Sequence, residues 1–187
     1  LRCEAGHGRA SKPPSLHLVE DPTYGVLALL ALAALSTLAL AGPASAQNAG
    51  QIAGVRAGRS CAGCNLFQGN FSGLEARGLN LSGARLRQAD LSLSVMNRTR
   101  FSNADLRDVE AYGGVFSSSN FSGADLTNAS FVGAYLEGAV FSGATLSGAN
   151  LSGARLSRAT GLTQRQLDRA CGDGSTVLPG NLRIPAC

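Results

Sequence analysis

The side chains with chemistry to offer are few and unevenly placed. Cys61-Ala62-Gly63-Cys64 has the CxxC spacing of thiol redox motifs, which normally open a helix whose dipole lowers a thiol pKa. The next residue is Asn65 rather than His, which removes covalent haem attachment. Both histidines, His7 and His17, and the only lysine, Lys12, stand near the start of the chain. Beyond them a serine or cysteine nucleophile lacks its usual base, and histidine metal sites are excluded. The carboxylates Asp90, Asp105, Asp108, Glu110, Asp125 and Glu137 could pair for acid–base work. Each instead sits at a polar position of a repeating phrase, where solvated decoration is the expectation. The reading is of no catalytic residue, no cofactor and no metal site, hence no enzyme.

Everything that could position these groups belongs to one tract. From Cys64 to Arg158 a five-residue phrase returns without insertion or deletion, as in Gly123-Ala124-Asp125-Leu126-Thr127 and Gly148-Ala149-Asn150-Leu151-Ser152. A fixed period decides architecture before local propensity does. Of the nineteen centres from Leu66 to Leu156, seventeen are Leu, Phe or Met, and only Ala76 and Ala111 are small. Two places before each centre stands a mostly small residue, such as Ala84, Ala104 or Ala124. Residues two apart share one side of an extended chain, so each pair faces one interior. The next inward residue comes three positions later, and there the chain must turn. Gly73, Gly83, Gly123, Gly133, Gly138, Gly143, Gly148 and Gly153 occupy that break, where a missing Cβ permits left-handed backbone. A helical period of 3.6 cannot satisfy a strict five.

With Leu or Phe at the centre, this phrase resembles A(D/N)LXX of the pentapeptide-repeat proteins, over about half the chain. The resemblance implies an all-β fold: a right-handed quadrilateral β-helix with four pentapeptides per coil and almost five coils, or a rod of roughly 23 Å at ~4.8 Å per strand. Stacked every twenty residues, Leu66, Leu86, Leu106, Leu126 and Leu146 make one interior ladder, and Leu81, Phe101, Phe121 and Phe141 another.

The expected organisation has four parts. Residues 1–46 are an N-terminal extension and signal peptide, with the apolar run 26–41 of h-region length and cleavage after Ala46. Glu20 and Asp21 stand where such a signal is normally basic, and a membrane anchor through 26–41 is the alternative. Residues 47–63 form an N-terminal cap or linker, 64–160 the solenoid and 161–187 a C-terminal cap. In that cap Thr163-Gln164-Arg165-Gln166 is a capping box opening a short helix over Gln164–Cys171, with Leu162 and Leu167 over the last coil. The tail also resembles that of exported bacterial family members. After cleavage four cysteines remain, Cys61, Cys64, Cys171 and Cys187, an even count for an oxidising compartment. If the rod holds its ends roughly 20 Å apart, no disulfide joins them, since Cα atoms must come within ~7 Å. Cys61–Cys64 and Cys171–Cys187 remain, with reduced structural thiols as the alternative.

Charge narrows the partners. The family's best-known activity, protection of DNA gyrase by members that look like duplex DNA, implies a strongly acidic rod. Here residues 64–160 carry seven acidic side chains against eight arginines, and the chain is at +4. Arg85, Arg87 and Arg107 fall on one side, Arg77, Arg98 and Arg100 on or beside another, without the aromatic platforms that stack bases. Nucleic acid is therefore not an expected partner, and an anionic polymer bound through Arg is the alternative function. More telling is an outward apolar column: Val95, Val115 and Tyr135 share one position on successive coils, Tyr112 and Val132 another. Contiguous exposed apolar surface marks partner sites, unless the tail or N-terminal segment folds over it. The expectation is an exported, periplasmic or secreted, non-enzymatic structural or protein-interaction module of the cell envelope, engaging an unknown protein or itself, with no stable membrane span if the signal is cleaved.

Overall fold

A computed structural model describes residues 48–187; the expected signal peptide, its apolar run 26–41 and its cleavage point lie outside the described residues. The five-residue phrase becomes one side of a four-sided coil. Parallel bridges join each outward residue to the one twenty positions on, as in Asn65↔Arg85↔Asp105↔Asp125↔Thr145 and Asn80↔Arg100↔Asn120↔Val140↔Thr160. Between coils the backbone is satisfied in both directions: the Leu66 amide donates to the Arg85 carbonyl at 2.8 Å, and the Arg85 amide to the Cys64 carbonyl at 2.8 Å.

Most sides end in a tight turn in which the amide three residues after a centre donates back to the centre's carbonyl, as Ala129 does to Leu126 at 3.0 Å. The second residue after the centre takes positive φ. Glycine was expected there, and Gly123 and Gly148 obey, at +67° and +71°. Nine non-glycine residues adopt the same conformation, among them Leu93, Arg98, Asn128 and Ser118. The repeat over-determines the turn, so a side chain is carried into αL at a cost of ~1–2 kcal/mol. The Asp or Asn of the phrase closes the corner. Its side-chain oxygen accepts from the amide two residues on, as Asp90 does from Ser92 at 2.9 Å and Asn120 from Ser122 at 2.8 Å. This local bond is what suits these residue types to turns.

The core is the set of inward pairs. Leu66, Leu86, Leu106, Leu126 and Leu146 are buried in register, as are Leu81, Phe101, Phe121 and Phe141. Phe121 stacks between Phe101 and Phe141 with centroids 5.0 and 5.3 Å away, while Phe116 and Phe131 meet it edge-on at 6.1 and 5.9 Å. These stacked and T-shaped geometries add to area burial.

Both ends of the described solenoid are closed. Helix α1, Ala49–Arg56, is capped by the Asn48 side chain accepting from the Gln51 amide and buries Val55; the Gln51 side chain in turn accepts from the Asn65 amide at 2.7 Å. Helix α2, Gln164–Leu167, carries the full capping box of Thr163 and Gln166 and buries Leu167. It is shorter than the expected Gln164–Cys171, because Cys171 is drawn into pairing with Asn150. The tail continues the solenoid pattern, with Val177 bridged to Arg155 and Gly172 to Ala186. Disulfides join Cys61 to Cys64 and Cys171 to Cys187, with Cα atoms 5.5 and 4.8 Å apart. No helix among the described residues is long and apolar enough to cross a membrane.

Candidate functional site

The side of the coil that carries Glu75, Val95, Val115, Tyr135, Arg155 and Val177 is one continuous bridged ladder. Its middle is apolar while the corresponding ladders elsewhere in residues 64–160 are Asn, Asp, Glu, Arg, Ser or Thr, with Val140 the exception. Val95 and Val115 are half-buried by their neighbours, and Tyr135 is 43% exposed. At the adjoining corner Tyr112 is 57% exposed and Val132 half-buried. The five expected residues thus share one surface. The tail does not cover it: Val177 extends the same ladder beyond Arg155. Arg155 lies over the Tyr135 ring at 5.7 Å and marks the polar end of the band.

One residue of this surface lies outside the twenty-residue columns of the sequence. Leu93 is 61% exposed with φ +57°, and its side chain leans over Gly113, where an added Cβ would come within 2.9 Å of Cδ2. The repeat drives this turn position into αL whatever its side chain, so what sets Leu93 apart is a branched apolar side chain shown to solvent, which adds to the exposed apolar area of this face. The signal was available: the second residue after a centre is Gly, Asn, Gln, Asp, Ser or Arg at the other turns, and Leu only here.

The charged groups are disposed around this band. On the opposite part of the coil Arg107 donates to Asp105 at 2.7 and 2.8 Å and approaches Asp125 at 3.7 Å, and Arg87 pairs with Asp108 at 3.2 Å. The Arg107 hydrogen bonds hold the Asp105 carboxyl below its ordinary value, against a smaller opposing effect of burial, and raise the guanidinium correspondingly. Exposed pairs of this kind contribute ~0–1 kcal/mol. Glu137 is held between Arg155 at 3.8 Å and Arg158 at 3.2 Å. Arg77, Arg98 and Arg100, by contrast, have no carboxylate within 4.0 Å among the described residues.

No group of His, Cys, Asp and Glu among the described residues is arranged to hold a metal ion. The CxxC cysteines open the first coil as a disulfide with no helix start at either thiol. At the far end Asp173 accepts from the Gly153 and Ser175 amides, both at 2.9 Å, and from the Ser175 and Thr176 hydroxyls, which lowers its pKa to about 2.

A stacked, four-sided β-solenoid built on an unbroken five-residue phrase defines a class of repeat protein. Pentapeptide repeats, in eight copies, match residues 60–97, 77–110 and 119–158. The chain belongs to the pentapeptide-repeat family, whose fold is a right-handed quadrilateral β-helix. Among solved structures it is similar to a trypsin-treated variant of QnrB1, a plasmid-mediated fluoroquinolone resistance protein, at 16% identity over 65% of this chain and 79% of that one, with a TM-score of 0.41. A pentapeptide repeat protein from the cyanobacterium Cyanothece 51142 is 23% identical over 69% and 97% of the two chains, at a TM-score of 0.33. One from Nostoc Pcc 7120 is 24% identical over 73% and 89%, at 0.26. No curated protein matches.

Proposed function

We propose that this protein is an exported, non-enzymatic interaction module of the cell envelope: a rod of almost five coils over residues 64–160, closed by 47–63 and by the helical cap 161–187, freed by cleavage after Ala46. The observation that carries the reading is the apolar face of Leu93, Val95, Tyr112, Val115, Val132 and Tyr135, three of whose members are 43–61% exposed. A solenoid interior is complete without its outside, so apolar side chains there serve contact with something else. Two disulfides at the ends suit an oxidising compartment. A protein partner, or a second copy, is a better occupant than a polyanion, because Arg87, Arg107, Arg155 and Arg158 are already paired and only Arg77, Arg85, Arg98 and Arg100 of residues 64–160 lack a carboxylate among the described residues.

Two measurements test this. Intact mass of the protein recovered from the envelope fraction should correspond to a chain beginning at Gln47 and lie four hydrogen atoms below the reduced form; an uncleaved mass with free thiols rejects export. Photocrosslinking from a probe replacing Val132 should give discrete adducts in cells. Val115→Asp should remove them at least about tenfold, since an unpaired carboxylate in an apolar contact costs more than ~1.4 kcal/mol. Adducts unchanged by Val115→Asp reject the apolar face as the contact.

A further inference from the structure

The basic corner beside the apolar face holds a cleft of its own. Residues 77–78, 97–98 and 117–118 occupy the same corner on successive coils, and Arg77, Asn97, Arg98, Ser117 and Ser118 line a hollow of about 160 Å³ between them. A single water needs only ~10–15 Å³ of such space, so a multi-atom group fits.

The lining is that of an oxyanion site. Arg77 and Arg98 reach the cleft from adjacent coils, and neither has a carboxylate partner among the described residues. Two arginines lining one hollow without a carboxylate partner favour an anion there, and the guanidinium fork matches a carboxylate in shape. Ser117 and Ser118 add hydroxyl donors. The Asn97 side-chain oxygen accepts from the Ser117 amide at 2.9 Å, which leaves its NH₂ group as a further donor. Arg98 and Ser118 stand at the left-handed turn positions, with φ +56° and +58°, so the turn geometry fixes where both side chains depart.

The cleft fits a single charge better than a polymer. Next along the same corner Arg155 and Arg158 already hold one carboxylate, that of Glu137, between them, which is the arrangement the cleft offers to a carboxylate from outside. A phosphate backbone or lipid surface draws its affinity from cations spread over many charges. Val95 and Val115 lie two residues before Asn97 and Ser117 on the adjoining face. A segment whose acid group enters the cleft therefore lays its neighbouring side chains on the apolar band. We propose that the Arg77–Arg98 cleft anchors one carboxylate of a protein segment whose apolar side chains cover Val95 and Val115; this rests on the partner-surface reading above.

The experiment uses the full chain, isotope-labelled, with acetate and hexanoate as probes at constant ionic strength, followed at the Arg77 and Arg98 Nε–H and the Ser117 and Ser118 amides. Acetate should give saturable shifts. Hexanoate should saturate at about one tenth of that concentration, the effect of burying roughly two methylenes. Arg77→Gln/Arg98→Gln, at exposed positions, should abolish saturation for both probes while amide shifts elsewhere stay in place. Val115→Asp should keep the acetate response and lose the hexanoate advantage. Linear acetate shifts, or shifts undiminished in the double glutamine variant, overturn the cleft. Saturation by inorganic phosphate but not acetate overturns its assignment to a carboxylate. A hexanoate advantage retained in Val115→Asp overturns the apolar-face reading, separately from the cleft.

Discussion

Thr99 and Ser119 occupy equivalent inward positions on adjacent coils, where the repeat normally places Ala, and removing their hydroxyls should move stability in opposite directions. Both are fully buried. The Ser119 hydroxyl accepts from the Thr99 amide at 3.1 Å and donates to the Met96 carbonyl at 3.0 Å, so it relays the turn bond that other sides make directly. The Thr99 Oγ1 has no hydrogen-bond partner. An uncompensated buried hydroxyl costs ~1–3 kcal/mol, and valine keeps the β-branched shape without it. Thr99→Val should therefore stabilise by about 1 kcal/mol, a Tm rise of roughly 2–4 °C for a chain of this length. Ser119→Ala strands the Thr99 amide and the Met96 carbonyl together and should destabilise by about 2 kcal/mol, or roughly 4–8 °C. Thermal and urea melts of the full chain read both. A Thr99→Val protein less stable than the parent by about 1 kcal/mol would mean that Oγ1 is hydrogen-bonded, and the reasoning from an orphaned hydroxyl would be wrong.

Leu126→Ala, at mid-stack and fully buried, should cost ~2–5 kcal/mol; an unchanged urea midpoint would remove Leu126 from the core. Cys171→Ser/Cys187→Ser opens a loop with a separation of 16 residues and should lose about 3 kcal/mol, measured by chemical denaturation; a variant as stable as the parent would show that the bond constrains nothing. Asp173 should make the C-terminal cap acid-labile. Its pKa is lowered in the folded chain to about 2, so its contribution is complete above the ordinary carboxylate range near 4 and is lost as pH falls through 2. Hydrogen exchange at the Gly153 and Ser175 amides should rise over that window in the parent, and Asp173→Asn should flatten the dependence; identical profiles would sink the assignment.

The parts of this molecule legible without coordinates are those that a period controls. An unbroken register of five puts every centre and its small partner on the same side of the chain, and Leu66, Leu126 or Phe121 has nowhere to go but inward. The capping box at Thr163 and Gln166 was readable for the same reason: it is a bond between near neighbours. Helix α1 was not, because Ala49–Arg56 contains two glycines and only Ile52 and Val55 as large apolar residues. Its stability comes from seating Val55 on the first coil and from Gln51 meeting the Asn65 amide. The early end of α2 was hidden too, since it depends on Cys171 being recruited by Asn150.

For the candidate surface the division is similar. Twenty-residue stacking already lines up Val95, Val115 and Tyr135, and Tyr112 with Val132. That Leu93 joins them, that the tail extends the ladder instead of covering it, and that Arg77 and Arg98 face one cleft while Arg107, Arg155 and Arg158 find acids are outcomes of side-chain reach across coils. Sequence by itself determined the period, the interior and the sites of the turns, because a backbone repeat propagates its own geometry. Only the tertiary structure decided which outward side chains meet, because nothing in a five-residue phrase constrains a rotamer that points into solvent.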